Sequence, residues 1–309
     1  LVLAGVGGAG GGDLQPARHQ DNEAPDRTPV EGLDIIEVGD FTVGVPAAAD
    51  VVRGLIVALG GPDTRAFVTG GRFGAPLPEL ESALGVLAAD LRRLAAEQRL
   101  ALVGTSLAAM ADGPESDRLV FEAIERAAVS SGRPEIATAP WLLYGISGGT
   151  PLAAGLVGRH PERVAGYLAK VGLAPSEGSS EMLRVPVLVV LGELDRIMDN
   201  APVLATVEDR RSAGALWGVA VEPGMPHHSL TPAHHRMTVD WMRAIAELRL
   251  PREGSGTPRE VDETSGWLGD RATGDAAPWA DFTRDRSLAS WLPSREAAES
   301  WEALVATDE

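Results

Sequence analysis

The stretch GISGG, Gly145 to Gly149, places Ser147 between two glycines at the end of an apolar run. A serine on a sharp strand-to-helix turn needs a strained backbone and little bulk two residues to either side, and glycine at both positions supplies that room. Such a turn leaves Oγ exposed and aims the amide of Gly148 at the point where a negative oxygen would form. A hydroxyl becomes a useful nucleophile when a base takes its proton, and that base needs a carboxylate to orient it. GELD brings Asp195 just past the apolar run 185–192, and GMPHHS brings His227 and His228 just past 216–222. The assignment that follows is Ser147 as nucleophile, Asp195 as acid and His227 as base, the Gly-x-x-His spacing favouring His227 over its neighbour.

The bare Gly-x-Ser-x-Gly pattern carries little weight in a chain with 36 glycines. Its place between a strand and a helix, and the agreement of three independent placements, give it weight. GTSLA at Gly104 to Ala108 sits in a similar setting but lacks the second glycine. Thr105 within it, Ile146 beside the serine, and His228 are expected around the site as substrate-facing or supporting residues. Glu193 and Asp199 are rivals of Asp195. His234 and His235 open the last long helix and are expected at the surface, and His160 at a helix end. The two histidine pairs could suggest zinc, because imidazoles ligate it well. With no cysteine and no His-Glu-x-x-His, neither a metal nor a cofactor is expected.

These side chains need a scaffold, and the chain alternates strand and helix patterns along most of its length. Residues 33–46 read as two short strands around Gly39-Asp40, and 54–60 as a strand covered on both faces. Leu80, Leu84, Leu87, Leu91 and Leu94 recur at helical spacing within 79–97. A strand at 100–106 follows, then a helix capped by Ser116 that carries Leu119, Val120, Phe121 and Ile124. Beyond it come a strand at 140–145, a helix at 148–160 with Pro151 in its first turn, and a strand at 185–192. A helix at 199–213, a strand at 216–224 and a helix at 232–248 complete the series. The pattern predicts the α/β class: a mostly parallel sheet with helices on both faces. Functional groups of such a sheet gather beyond the carboxyl ends of its strands, where Ser147, Asp195 and His227 fall.

From about residue 33 to 250 the chain resembles the α/β-hydrolase superfamily, and especially bacterial secreted serine esterases similar to polyester (polyhydroxyalkanoate) depolymerases. The resemblance rests on GISGG with the following HPERV, the GELD turn, the GMPH turn, and the order Ser147, Asp195, His227. It implies a carboxylic-ester hydrolase working through an acyl-enzyme, on a small-molecule or polymeric ester. It also implies a second oxyanion donor from Gly60-Gly61-Pro62-Asp63-Thr64. Pro62 has no N–H, which leaves Gly61 or Asp63. Many relatives carry His-Gly in that loop and histidine before the serine, where this chain has Leu59-Gly60 and Ile146. The same residues could serve a peptidase or amidase, or survive on a non-catalytic binding protein.

Bulk properties narrow the setting. A formal charge of −17 over 309 residues argues against a nucleic-acid partner, and no apolar run is long enough to cross a membrane. Lys170 is the sole lysine, which reads as coding bias. Residues 1–31 read as a disordered glycine-rich leader. Their opening LVLAGVGG resembles the end of a signal peptide, with Val6 where a lipobox would have cysteine, so export to the cell envelope or beyond is expected. Residues 32–250 form the main domain. Residues 251–309 hold Trp267, Trp279, Trp291 and Trp301, too many tryptophans for a free tail, and are expected to pack on the core, with a helix at 294–306. The pattern leaves the oligomeric state open.

Overall fold

Apolar runs of six or seven residues can be buried on both faces only when helices cover each side of a sheet. The computed structural model describes residues 32–106, 112–253 and 256–306. In chain order the elements are β1 (Leu33–Val38), β2 (Phe41–Pro46), β3 (Gly54–Gly60), α1 (Arg65–Thr69), α2 (Pro78–Gln98) and β4 (Leu100–Thr105). Then follow α3 (Pro114–Ser131), β5 (Trp141–Ile146), α4 (Thr150–Arg159), β6 (Val164–Lys170), β7 (Val187–Gly192), α5 (Asn200–Ser212), β8 (Trp217–Glu222) and α6 (Pro232–Arg249). The chain continues with β9 (Trp267–Gly269), β10 (Ala276–Pro278), β11 (Ser290–Leu292) and α7 (Arg295–Val305).

Strands β1 to β8 form one sheet in the order β1-β2-β4-β3-β5-β6-β7-β8. β2 runs antiparallel to β1 and β4, and the remaining pairs are parallel. Side chains alternate between two cores. Leu142, Tyr144 and Ile146 of β5 face α1, α2, α6 and α7, while Trp141 and Leu143 face α3, α4 and α5. This strand order, with its antiparallel β2 and its two helical layers, is the α/β-hydrolase fold.

Local details differ from the sequence reading. β6 was not expected as a strand. Ser116 lies within the first turn of α3, and the cap position belongs to Gly113, with Pro114 opening the helix. The helix after β5 begins as a single 3-10 turn over Ser147–Gly149 and becomes α-helical at Thr150.

Beyond Leu250 the chain forms a small antiparallel sheet, β10-β9-β11, and the amphipathic α7. β8 is the last strand of the large sheet, where unpaired backbone groups would invite association. The extension covers them. The Val219 amide donates to Ser290 Oγ at 3.0 Å, and its carbonyl accepts from Ser290 Oγ at 2.8 Å and from Trp301 Nε1 at 3.0 Å. Trp291 and Trp301 are wholly buried, and a Cβ on Gly218 would come within 2.9 Å of the Trp291 carbonyl. Trp267 and Trp279 are half-buried beneath Arg295 and Arg286. The leader 1–31, with Val6, lies outside the described residues.

Candidate active site

β5 carries the serine. At Ser147 φ is 47°, the left-handed region that costs a non-glycine residue on the order of 1–3 kcal/mol. The turn is held by Thr150 Oγ1, which donates to the Ser147 carbonyl at 2.7 Å. A Cβ on Gly149 would stand 2.3 Å from the Leu59 carbonyl and 2.4 Å from the Gly60 nitrogen, so the turn is pressed against the end of β3. The atoms nearest a Cβ on Gly145 would be side-chain ones, of Thr150 and Tyr167 at 3.1 Å and Ala153 at 3.2 Å. The two glycines therefore answer different demands: backbone approach at 149, side-chain packing at 145.

The loops after β7 and β8 bring the other two groups. Ser147 Oγ lies 2.7 Å from His227 Nε2, and His227 Nδ1 lies 2.6 Å from Asp195 Oδ2. With the ring proton on Nδ1 shared with the carboxylate, Nε2 is left to accept from the serine hydroxyl. The other Asp195 oxygen accepts from the amides of Ile197 at 2.8 Å and Met198 at 3.1 Å. Burial pushes the Asp195 carboxyl up, but those amides and the imidazole together hold it below the usual carboxylate range. The loops are also latched to each other: the Leu194 amide donates to the Met225 carbonyl at 2.9 Å and that of Glu193 to Glu222 at 3.0 Å. Glu193 turns instead to the Gly224 amide, and Asp199 caps α5.

The serine opens into a cavity of about 240 Å³. Ala75, Pro76, Leu80, Leu84, Ile146 and Val171 make its apolar wall, and Gly61, Lys170, His227 and His228 its polar part. Ile146 and His228 thus both line the cavity. The ring of His228 stands edge-on to His227 at 5.0 Å, and burial, with His227 and Lys170 beside it, lowers its pKa. Gly61 lines the cavity, and its amide makes a long contact of 3.3 Å to the Ile146 carbonyl. The Asp63 amide donates to the Phe73 carbonyl at 3.0 Å, and its carboxylate pairs with Arg65. Of these two loop residues Gly61 lines the cavity and Asp63 does not, and both amides donate to backbone carbonyls.

Two expectations need correction. Thr105 does not line the cavity; it ends β4 and is locked to Thr64, whose Oγ1 accepts from the Thr105 amide at 2.8 Å. His234 is buried rather than at the surface, with Nδ1 3.3 Å from Glu222 Oε2, and desolvation lowers its pKa. His235 lies 2.8 Å from Asp90 and His160 ends α4 beside Asp117, so the histidines disperse to separate partners. Among the described residues no three His, Asp or Glu side chains converge in a metal-binding group.

Lys170 was missed as a site residue. It is the last residue of β6, in register with Ile146, and only 2 % exposed. The sequence signal was its singularity among 27 basic residues.

No family model and no curated protein matches the chain. Solved structures similar to it include a cold-adapted esterase from an Arctic intertidal metagenomic library, at 14% identity and a TM-score of 0.44, covering 70% of this chain and 95% of that one. A thermostable esterase shares 14% identity at a TM-score of 0.48, over 74% of this chain and 63% of that one. The Bacillus cereus carboxylesterase shares 17% at a TM-score of 0.39, over 62% and 89% respectively.

Proposed function

We propose that the protein is a serine hydrolase of carboxylic esters. The observation that carries this reading is the continuous hydrogen-bonded chain from Ser147 Oγ through His227 to Asp195, at 2.7 and 2.6 Å, opening onto a mostly apolar cavity. His227 Nε2 takes the hydroxyl proton as Oγ adds to the ester carbonyl. The developing oxyanion is held by the amides of Gly148 and Gly61. Collapse breaks the carbonyl carbon–alkoxy oxygen bond, and the imidazolium returns its proton to the leaving alcohol. Water, deprotonated by the same imidazole, then releases the acid and restores Ser147. Asp195 stays ionised throughout and stabilises the imidazolium, in keeping with its lowered pKa.

The cavity, at about 240 Å³, lies below the usual range of roughly 300–1,000 Å³ for drug-sized ligands and favours a compact acyl group. Labelling with a fluorophosphonate probe, mapped by peptide mass, tests the nucleophile. Turnover of p-nitrophenyl esters against p-nitroanilides, with a polyester film as a separate arm, tests the reaction class. Modification anywhere but Ser147, or anilide cleavage outrunning ester cleavage, overturns the esterase reading. Export to the cell envelope or beyond remains part of the proposal; it rests on the leader's composition, and fractionation of cells expressing the full chain tests it.

A further inference from the structure

Lys170 is a buried cation in the wall of the reaction cavity, and the mechanism has no use for it. Its Nζ makes a single hydrogen bond among the described residues, to the His227 carbonyl at 3.4 Å, longer than an ordinary N–H···O bond. An ammonium carries three donors. The nearby carboxylates are committed elsewhere: Glu222 to Thr231 and His234, Asp195 to His227 and two amides. No ion pair among the described residues includes Lys170.

Register places this cation close to the chemistry. Ile146 and Lys170 are partners across the parallel β5–β6 pair, and Ser147 follows Ile146. Adjacent strands stand about 4.8 Å apart, so nucleophile and cation rise from neighbouring strand ends into one small cavity. The rest of the described wall is apolar apart from the two imidazoles and the glycines Gly61 and Gly74. An aliphatic acyl chain filling this space would seal unused ammonium donors from water, at substantial cost. A chain ending in a carboxylate would supply charge-assisted bonds instead. The protein as a whole repels anions at −17, so any preference for one must be local.

We propose that Lys170 is the recognition group for a carboxylate at the far end of the acyl chain, so that the substrate class is the half-ester of a short dicarboxylic acid. This rests on the esterase reading and names its substrate. The test compares monoethyl glutarate with ethyl valerate, which match in length and differ in the terminal group, by proton release at constant pH. The wild-type kcat/KM should favour the half-ester at least tenfold. In Lys170→Met that ratio should fall at least tenfold, and Lys170→Arg should retain part of it. Reading a ratio cancels any general loss from disturbing the His227 loop. A wild-type preference for the valerate, or a ratio unmoved in Lys170→Met, overturns the proposal and leaves Lys170 as a prop for the His227 carbonyl.

Glutarate itself separates this failure from failure of the esterase reading. It should slow fluorophosphonate labelling of wild-type Ser147 and not of Lys170→Met. If Ser147 resists the probe and neither ester is cleaved, the hydrolase reading has failed. Calorimetric titration with glutarate then still decides the site: binding lost in Lys170→Met upholds a carboxylate subsite, and no binding to the wild type refutes it.

Discussion

β5 and β6 end side by side, and each is followed at once by a residue in left-handed backbone: φ is 47° at Ser147 and 45° at Val171. At the first turn the polar group is fully engaged. Ser147 Oγ meets His227, and that ring meets a carboxylate itself held by two amides. At the second, the strain falls on a β-branched residue, and the cation just before it makes one long bond. Strain at Ser147 exposes a hydroxyl to a base built into the protein. Beside Lys170 it sets a charge in a wall where, among the described residues, that long bond is the only hydrogen bond it makes. Among the described residues, the Ser147 side of the cavity is self-sufficient in hydrogen bonds and the Lys170 side is not.

The largest expected effect is on the self-sufficient half. Ser147→Ala should lower ester turnover on the order of 10⁴ to 10⁶-fold, and Asp195→Asn on the order of 10⁴-fold through the wrong imidazole tautomer. Both should keep wild-type circular dichroism and melting behaviour; near-native turnover in Ser147→Ala would end the comparison. Next comes the glycine that lets the elbow touch β3. Gly149→Ala must displace backbone and should cost roughly 3 kcal/mol or more in urea denaturation, whereas Gly145→Ala, which meets side chains, should cost roughly 1 kcal/mol. Equal costs would show that both glycines answer only the serine turn.

Lys170 sharpens the contrast through stability. Burial lowers its pKa from 10.5 to about 8, with Glu222 and Asp195 opposing the shift. Below pH 8 the folded protein carries a buried charge that the unfolded chain solvates freely. Between about pH 8 and 10.5 the folded state has released the proton while the unfolded state still holds it, so stability should rise with pH across that window. The rise amounts to on the order of 3 kcal/mol. Lys170→Met should raise the midpoint of urea denaturation at pH 7 and flatten that rise, which is the reverse of what loss of a structural ion pair does. The smallest effect is expected at His228, where alanine should change ester turnover by a few-fold at most. A larger loss there than in His227→Ala would exchange the roles of the two rings.

Legibility followed the strength of local signals. The elbow was readable because glycine at two fixed positions around a serine reflects steric demands that few other turns impose. Asp195 and His227 were readable because each follows an unbroken apolar strand, and such ends converge. β6 was not. Its Ala165, Gly166 and Ala169 dilute the apolar pattern, and Gly166 is small because Ile245 and Trp241 of α6 press on it, at 2.8 and 3.1 Å from a would-be Cβ. That contact is decided by a helix some 80 positions away and leaves no local mark. Missing the strand meant missing the lysine at its end.

Sequence by itself determined most of the alternation of strands and helices, the three residues that meet in one hydrogen-bonded chain, and the need to bury tryptophans beyond Leu250, because each depends on spacing or on the cost of exposing a large side chain. Tertiary structure alone decided the rest. It turned Asp63 toward Arg65 and left Gly61 at the cavity, buried His234 against Glu222, and set Ser290 and Trp301 on the open edge of β8. It also placed the lone lysine in register with the residue before the nucleophile. These are pairings between distant segments, and a hydrogen-bonding group shows no preference for a partner until the fold limits which atoms it can reach.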